Sequence, residues 1–442
     1  MTAVSKRAPA RRLVAIALAL PVLLGGCGLF GKDEVILEGK RLPVRPEQET
    51  ARLDERPPLR LPPPTTVSAW THRNGGPTHV APHAALNPSL TLAWSVDAGE
   101  GNNSRSQLTS GPVVGGGRIF VLDAASQVRA FSLDGKLLWK SYVGRENEDG
   151  HDGYGGGVVI AGDTLYAATG FGEVLALDAA SGEIRWRTRV GGPVRAAPVV
   201  ARGKVIVVTR DDQGFGLDAV SGAIAWRVQG ATGPAGLLGG SSPAADDVVA
   251  VLPFSSGEVL AVVGFSGRRI WSAAVTGGRR GLARTGIGDI TGEPVIDGET
   301  IYVANQSGRL VSIDRRTGNR NWTINDGSVN PVVPVSGSVF MLSDRAELIR
   351  LDAATGARIW ATQLDEYSDP ADRSNAIGYA GPLLAGGRLV VVSTAGRLFS
   401  FDPETGAQTG VLDMPAGSYL PPAIAEGRLI VLGTDGRLFA FR

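Results

Sequence analysis

A single cysteine, Cys27, four histidines and three methionines stand among 442 residues. One thiol excludes an intramolecular disulfide, so no cross-link staples this fold. The histidines are His72, His79, His83 and His151. Only His79 and His83 are near neighbours, they flank Pro82 off any clear helix, and a zinc centre has no foothold. Excess charge is missing as well: 44 basic residues face 43 acidic ones, for a net charge of +1. That balance argues against nucleic-acid binding by bulk charge. No apolar run reaches the roughly 20 residues that a transmembrane helix needs. There is no Gly-x-Ser-x-Gly elbow, no P-loop and no Cys-x-x-Cys-His segment, so nucleophilic, nucleotide and haem chemistry lack their usual signatures. Glycine, by contrast, is plentiful: 61 residues, about twice ordinary usage. With many valines and leucines and few long helical patterns, this composition points to an all-β chain rich in turns.

The N-terminus reads as an address. Lys6, Arg7, Arg11 and Arg12 precede a short apolar run from Leu13 to Leu24, the pattern of a secretory signal. The run ends Leu24-Gly25-Gly26-Cys27, which resembles a bacterial lipobox. That resemblance implies cleavage before Cys27 and a diacylglycerol on its thiol; Gly28 in the next position implies sorting to the outer membrane. Anchoring would then be by lipid, not by a spanning helix. Residues 1–26 are thus expected to be a signal peptide. Residues 27–66 hold seven prolines among balanced charges and are expected to be an extended tether, with docking of part of it on the globular region left open. Residues 67–442 form the globular region.

That region is built of repeats. Eight segments open on a turn that launches an apolar strand, among them Gly117-Arg118-Ile119, Gly203-Lys204-Val205, Gly387-Arg388-Leu389 and Gly427-Arg428-Leu429. A second alternating strand follows, such as Glu173-Val174-Leu175-Ala176-Leu177, then an Asp-x-x-x-Gly turn and a tryptophan four residues on. Asp178, Gly182 and Trp186 mark one unit; Asp218, Gly222 and Trp226 mark another, as do Asp314, Gly318 and Trp322, and Asp352, Gly356 and Trp360. The aspartate can bond backbone N–H groups in its turn, the glycine can take a positive φ, and a recurring flat side chain suits packing between neighbouring sheets. Three units deviate: the first shortens its turn to Asp134-Gly135 before Trp139, the fourth has Val263 in the aspartate position, and the seventh has Gly410 where tryptophan is expected.

The ends complete the pattern. The last unit stops at Phe441-Arg442 without its tryptophan strand, and the globular region opens on an orphan strand, Thr91 to Val96, that carries Trp94. Pairing the two would close a ring and remove open sheet edges. Tryptophan positions recur about every 45 residues, within the 40–50 of a four-stranded propeller blade. The sequence therefore predicts an all-β, eight-bladed β-propeller of four-stranded antiparallel blades over residues 91–442. Residues 67–90 would be a lead-in, and the N-terminal strand would pair into the last blade.

The unit A-L-D-A-x-[ST]-G-x-x-x-W resembles the tryptophan-docking repeat of pyrroloquinoline quinone (PQQ) enzymes. Lipobox, short tether and eight such repeats together resemble the outer-membrane assembly factor BamB family over nearly the whole chain. The alcohol-oxidising PQQ enzymes usually carry adjacent cysteines, a carboxylate base and acidic or amide Ca²⁺ ligands at the axis; this chain shows no such set. The BamB resemblance implies a lipid-anchored, non-enzymatic scaffold without cofactor at the periplasmic face of the outer membrane. It also implies binding to the POTRA domains of BamA within the BAM complex, and help in inserting β-barrel proteins. Nascent outer-membrane proteins could add a strand to a blade edge. A PQQ-binding enzyme and a periplasmic recognition propeller with another partner are the alternatives.

In that family the loops before blades four and five meet BamA. Here they are residues 230–240, with Leu237 and Leu238 in a Gly-rich setting, and residues 277–289, basic through Arg284 and ending in Asp289. Leu237 keeps one family leucine, Leu238 falls where an arginine stands, and Ala235 falls where a second leucine stands. Asp289 keeps the first acid of an Asp-x-Asp and Thr291 replaces the second. Leu237, Leu238, Arg284 and Asp289 are the expected partner contacts; the leucines could instead fill an inter-blade gap. The stretch from Arg145 to Tyr154 is the richest in possible metal ligands, but its spacing is not that of an EF-hand, and it reads as a solvated inter-blade loop.

Overall fold

In the computed structural model, which describes residues 57–236, 239–275, 277 and 287–442, the glycine-launched segments fold as strands in groups of four. Among the described residues there are eight four-stranded antiparallel sheets and one two-stranded hairpin. Blades 1 to 7 are local meanders over residues 113–142, 156–189, 199–229, 244–274, 290–324, 333–363 and 379–413. Blade 8 takes Ala423–Ala425, Arg428–Leu432 and Arg437–Phe441 from the C-terminus and Leu92–Asp97 from the other end of the globular region. Trp94 lies opposite Ala440 and Asp97 opposite Arg437. The N–H groups of Thr91 and Arg442 each donate to the other's carbonyl, at 3.0 Å or less. The ring expected from the two unpaired ends is therefore closed.

Burial falls from the axis outward, and composition follows it. Second strands such as Lys204–Val208 and third strands such as Glu173–Asp178 are buried on both faces and run almost wholly apolar. Outermost strands such as Leu137–Tyr142 and Ile184–Arg189 alternate exposed and half-buried side chains, because one face meets solvent. Charged residues on these edges, Lys140, Arg187 and Arg189 among them, discourage pairing between copies.

The tryptophans join blade to blade. Indole Nε1 donates to a carbonyl in the third turn of the next blade: Trp94 to Leu133, Trp139 to Ala179, Trp186 to Ala219, Trp226 to Gly264, Trp271 to Arg315, Trp322 to Ala353 and Trp360 to Pro403, all within 3.2 Å. The ring lies on that turn's glycine. At Gly222, whose φ is 74°, an added Cβ would stand 2.7 Å from the Trp186 ring. The turn aspartates behave as their chemistry requires: Asp178 Oδ1 accepts from the N–H groups of Ala180 and Ser181 and from the Ser181 hydroxyl. A β-bulge precedes each docking position. Ala130 faces Trp139 while Phe131 faces Leu137, so Leu138 is the extra residue. Blade 8 repeats the bulge at Ala93, although its strand comes from the far end of the fold.

Residues 57–90 are more than a lead-in. They circle one mouth of the ring in blade order. The Ser336 hydroxyl in blade 6 donates to the Arg60 carbonyl, and Glu426 N–H in blade 8 to the Val67 carbonyl. Trp70 exchanges backbone bonds with Val114 in blade 1. Thr71 accepts from Ile160 N–H in blade 2, and His72 Nε2 from Val200 N–H in blade 3. Pro77 accepts from Ala245 in blade 4, Thr78 from Ile296 in blade 5, and Ala84 from Gly386 in blade 7. Having gone round, the segment meets itself where Thr65 bridges Ala84. The tether expected over 27–66 is corrected accordingly: residues 57–66 belong to this collar. Leu59 and Leu61 pack against the core of blades 6 and 7, and Arg350 donates to the Pro57 carbonyl. Their prolines lack the N–H that a sheet would need, yet the carbonyls of Pro57 and Pro62 still find partners in Arg350 and His83. The remainder of the expected tether, the signal peptide and Cys27 lie outside the described residues.

Candidate functional site

In a four-stranded meander the first and third turns share one end of the blade, and the second turn and the link to the next blade share the other. The collar covers the first-turn end. The opposite end carries every inter-blade connection, including the two loops before blades 4 and 5.

Those two loops are anchored by one buried ionic junction. Arg195, in the short connection before blade 3, pairs with Asp289, the last residue before blade 5. It also lies 3.9 Å from Asp212 in the second turn of blade 3. Asp212 in turn accepts from Ser255 N–H at 2.7 Å and from the Ser255 hydroxyl at 2.5 Å, in the second turn of blade 4. Arg195 is 7% exposed and both aspartates are 0%. Three blades are thus tied by charges withdrawn from water, where losing one partner of an ion pair costs about 3–5 kcal/mol. Above the junction passes the stem of the loop before blade 4. A Cβ on Gly240 would stand 2.5 Å from Arg195 Nε, and one on Gly236 3.6 Å from the Asp289 carboxylate. Only glycine lets the backbone cross the guanidinium at Gly240.

The expected contact residues divide on this geometry. Leu237, Leu238 and Arg284 lie outside the described residues. Their flanks are placed: Ala231 N–H donates to the Glu258 carboxylate, Gly233 N–H to the Ser255 hydroxyl, and residues 234–236 are exposed. Asp289, expected as a surface contact, is instead turned inward. Its carboxylate holds Arg195 and so fixes the roots of both loops. Thr291, in the place of the second acid, donates its hydroxyl to the Ser328 carbonyl at 2.8 Å, joining blade 5 to the connection before blade 6. Sequence reasoning passed over Arg195. Its one signal is a lone charge within Val194-Arg195-Ala196-Ala197, and its partner stands 94 residues away.

Three of the four acids between Arg145 and Tyr154, namely Glu148, Asp149 and Asp152, are engaged with cations. Arg105 pairs with Asp149 at 3.0 Å and with Asp152 at 2.9 Å, and Asp149 caps a short 3₁₀ turn at Gly150–Gly153. The His151 contact comes first among the causes that hold the Asp149 carboxyl down to about 2. No group of three or more His, Cys, Asp or Glu among the described residues is placed to hold a metal. Behind the collar, Glu293 is buried 2.7 Å from Arg73; burial pushes its carboxyl up and the guanidinium opposes that.

A family model described as outer membrane protein assembly factor BamB matches residues 124–362 and 370–442. Relatives bearing that description are 25% identical over 402 residues in Yersinia pestis, 27% over 406 in Salmonella typhimurium and 26% over 403 in Escherichia coli K12, each match covering 90% of both chains. Among solved structures, BamB from Moraxella catarrhalis superposes with a TM-score of 0.66 at 20% identity, covering 80% of this chain and all of that one. Quinohemoprotein alcohol dehydrogenase from Comamonas testosteroni reaches 0.65 at 16% identity, covering 84% and 80%. These two likenesses concern the fold. The family model spans well over half the chain, and the chain belongs to the outer membrane protein assembly factor BamB family.

Proposed function

We propose that this propeller is a non-enzymatic scaffold, anchored by lipid on Cys27 at the periplasmic face of the outer membrane, that binds the POTRA domains of BamA and aids insertion of β-barrel proteins. The observation that carries the reading is the buried Arg195–Asp289 junction. It holds the roots of two adjacent loops in fixed relation on the face away from the collar. A rigid base lowers the ordering cost of binding, because the roots of the loops are already fixed. Leu237, Leu238 and Arg284 supply the direct contacts: apolar side chains in a Gly-rich segment and a cation in the following loop. Asp289 and Arg195 act beneath them as positioning residues.

The test is a native pull-down from outer membranes in mild detergent through a C-terminal tag, with co-purifying proteins identified by mass spectrometry. BamA should be recovered with the unaltered chain. Replacing Leu237 and Leu238 by alanine should cut recovery severalfold and leave thermal unfolding unchanged. Asp289→Asn should lower recovery and also speed proteolysis within residues 230–289, because Arg195 loses its main counter-charge. Recovery indifferent to all three changes would keep the scaffold and move its site. Failure to recover BamA with an intact, membrane-bound chain would remove the partner.

A further inference from the structure

A cavity lies on the face away from the collar, across blades 5, 6 and 7. Among the described residues, the connection from blade 6 to blade 7 is the one that carries its own two-stranded hairpin, Tyr367–Asp369 paired with Ser374–Ala376. The hairpin's base is fixed. Ile377 N–H donates to the Glu366 carbonyl at 2.9 Å, the Tyr379 hydroxyl to the Asp365 carbonyl at 2.8 Å, and Asn330 Nδ2 to the Tyr379 carbonyl at 3.0 Å. Between hairpin and ring is a cavity of about 780 Å³ reaching across blades 5, 6 and 7, a size suited to a small ligand or a few residues of chain.

Its lining is unusual in what it leaves unused. Gln306, in the second turn of blade 5, has its Nε2 buried with no hydrogen-bond acceptor among the described residues. A buried amide donor without a partner costs about 1–3 kcal/mol, which a ligand carbonyl or carboxylate would recover once the Gln306 side chain, which lines the cavity, turns its amide into it. Arg373, at the hairpin tip, is exposed on the cavity rim and makes no ion pair among the described residues. The other guanidinium here, Arg345, is already committed to Asp326 at 2.9 Å. Acidic groups are present too: Glu366 is exposed at the rim, while Asp344 Oδ1 accepts from Gly327 N–H at 2.9 Å. Val329, 47% exposed, adds an apolar floor.

We propose that this cavity is a binding site for a short extended peptide segment bearing a carboxylate, held by Arg373 through the charge and by Gln306 through a neighbouring carbonyl. The mixed lining selects this class. A bare anion such as phosphate would meet Glu366 and gain nothing from Val329. A peptide offers N–H donors to the acid, carbonyls to the amide, a carboxylate to the guanidinium and side-chain carbons to the apolar floor. The carboxylate could be a chain terminus or an acidic side chain. The inference goes beyond the scaffold reading and does not depend on it.

The test uses the full mature chain in detergent and fluorescence anisotropy of labelled pentapeptides. One is Gly-Ser-Val-Thr-Val with a free C-terminal carboxylate, the second is its C-terminal amide, and the third is an amide with glutamate in the middle position. At least one carboxylate peptide should bind saturably, and the plain amide should bind about tenfold more weakly, as expected for loss of a charge-assisted bond. The first peptide binding alone identifies a chain terminus, the third alone an acidic side chain. Arg373→Ala and Gln306→Leu should each weaken binding about tenfold, while Arg185→Ala, on the outer edge of blade 2, should leave it unchanged; circular dichroism checks that each variant folds. BamA recovery should be unaffected by Arg373→Ala, which separates this site from the loops of blades 4 and 5. Absence of saturable binding by both carboxylate peptides up to about 1 mM, or binding untouched by both cavity variants, would overturn the proposal.

Discussion

A docking tryptophan asks two things of the glycine beneath it: a positive φ and an empty side. The two demands can be separated within blade 3. Gly203 has a φ of 71° and nothing within 4 Å of an added Cβ, so alanine there meets backbone strain alone. Gly222 has a φ of 74°, and its added Cβ would also stand 2.7 Å from Trp186 and 2.8 Å from the Thr188 hydroxyl. Gly203→Ala should therefore cost about 1–2 kcal/mol, the left-handed penalty. Gly222→Ala should cost about 1–3 kcal/mol more, because the indole must leave its seat. Urea midpoints compare them, and equal losses would show that the ring is not packed on the turn. The glycines, the aspartates and the tryptophans were all legible in the sequence, because each demand is local and recurs at fixed spacing. Arg195 was not, since a buried ion pair across 94 residues leaves no periodic trace.

At the level of the element, the one missing tryptophan has a structural cause. Gly410 occupies the docking position of blade 7, and its strand keeps the bulge, with Ser400 facing Gly410 and Phe401 facing Gln408. The neighbour it would dock on is blade 8. There no turn joins the third strand, Arg437–Phe441, to the fourth, Leu92–Asp97, because the two come from distant parts of the sequence. An indole at this position would find no turn glycine to cover and no turn carbonyl to accept its N–H. A Cβ at this position has room, meeting only the Ser400 Cβ at 3.8 Å. Gly410→Trp should thus leave the thermal midpoint within the range of a neutral surface change, about 0.5 kcal/mol. A clear gain would mean that the chain-end junction acts as a docking turn. The sequence displayed this deviation without its reason, and its two unpaired ends displayed the closure that supplies the reason. The collar left no such mark. Its partners are backbone groups on seven blades and the Ser336 and Arg350 side chains on blade 6, and nothing in a proline-rich stretch encodes which carbonyls will be used.

Across the whole molecule the collar makes ring integrity a matter of pH. Three of the four histidines lie in it, and the bonds they make fix their tautomers. Val200 N–H can only donate, so His72 Nε2 carries a lone pair and Nδ1 holds the proton, directed to the Thr71 hydroxyl at 2.8 Å. His79 Nδ1 meets the Pro294 carbonyl at 2.9 Å and must donate. Burial above all pulls His72 down to about 3, with His79 nearby adding to the effect. Burial also pulls His79 down to about 4, where the Pro294 bond opposes it and Arg73 assists. Both folded values lie below the unfolded value of about 6.5, so both rings contribute fully above that pH and lose their contribution as pH falls towards 4 and 3. By pH 5 each should have forfeited about 2 kcal/mol. Glu293 acts in the opposite sense, because burial raises its carboxyl and acid then favours the folded form. Single substitutions separate the two. His72→Gln offers a carbonyl at the depth of Nε2 for Val200 N–H and cannot take up a proton. The urea midpoint of the unaltered chain should fall between pH 7 and pH 5, and His72→Gln should remove about half of that fall while lowering the midpoint only modestly at pH 7. An identical fall in the variant would show that His72 does not titrate with unfolding. Because the collar touches all eight blades, the acid transition should appear together in the fluorescence of the docking tryptophans and in the proteolysis of residues 57–90, rather than as the release of one edge.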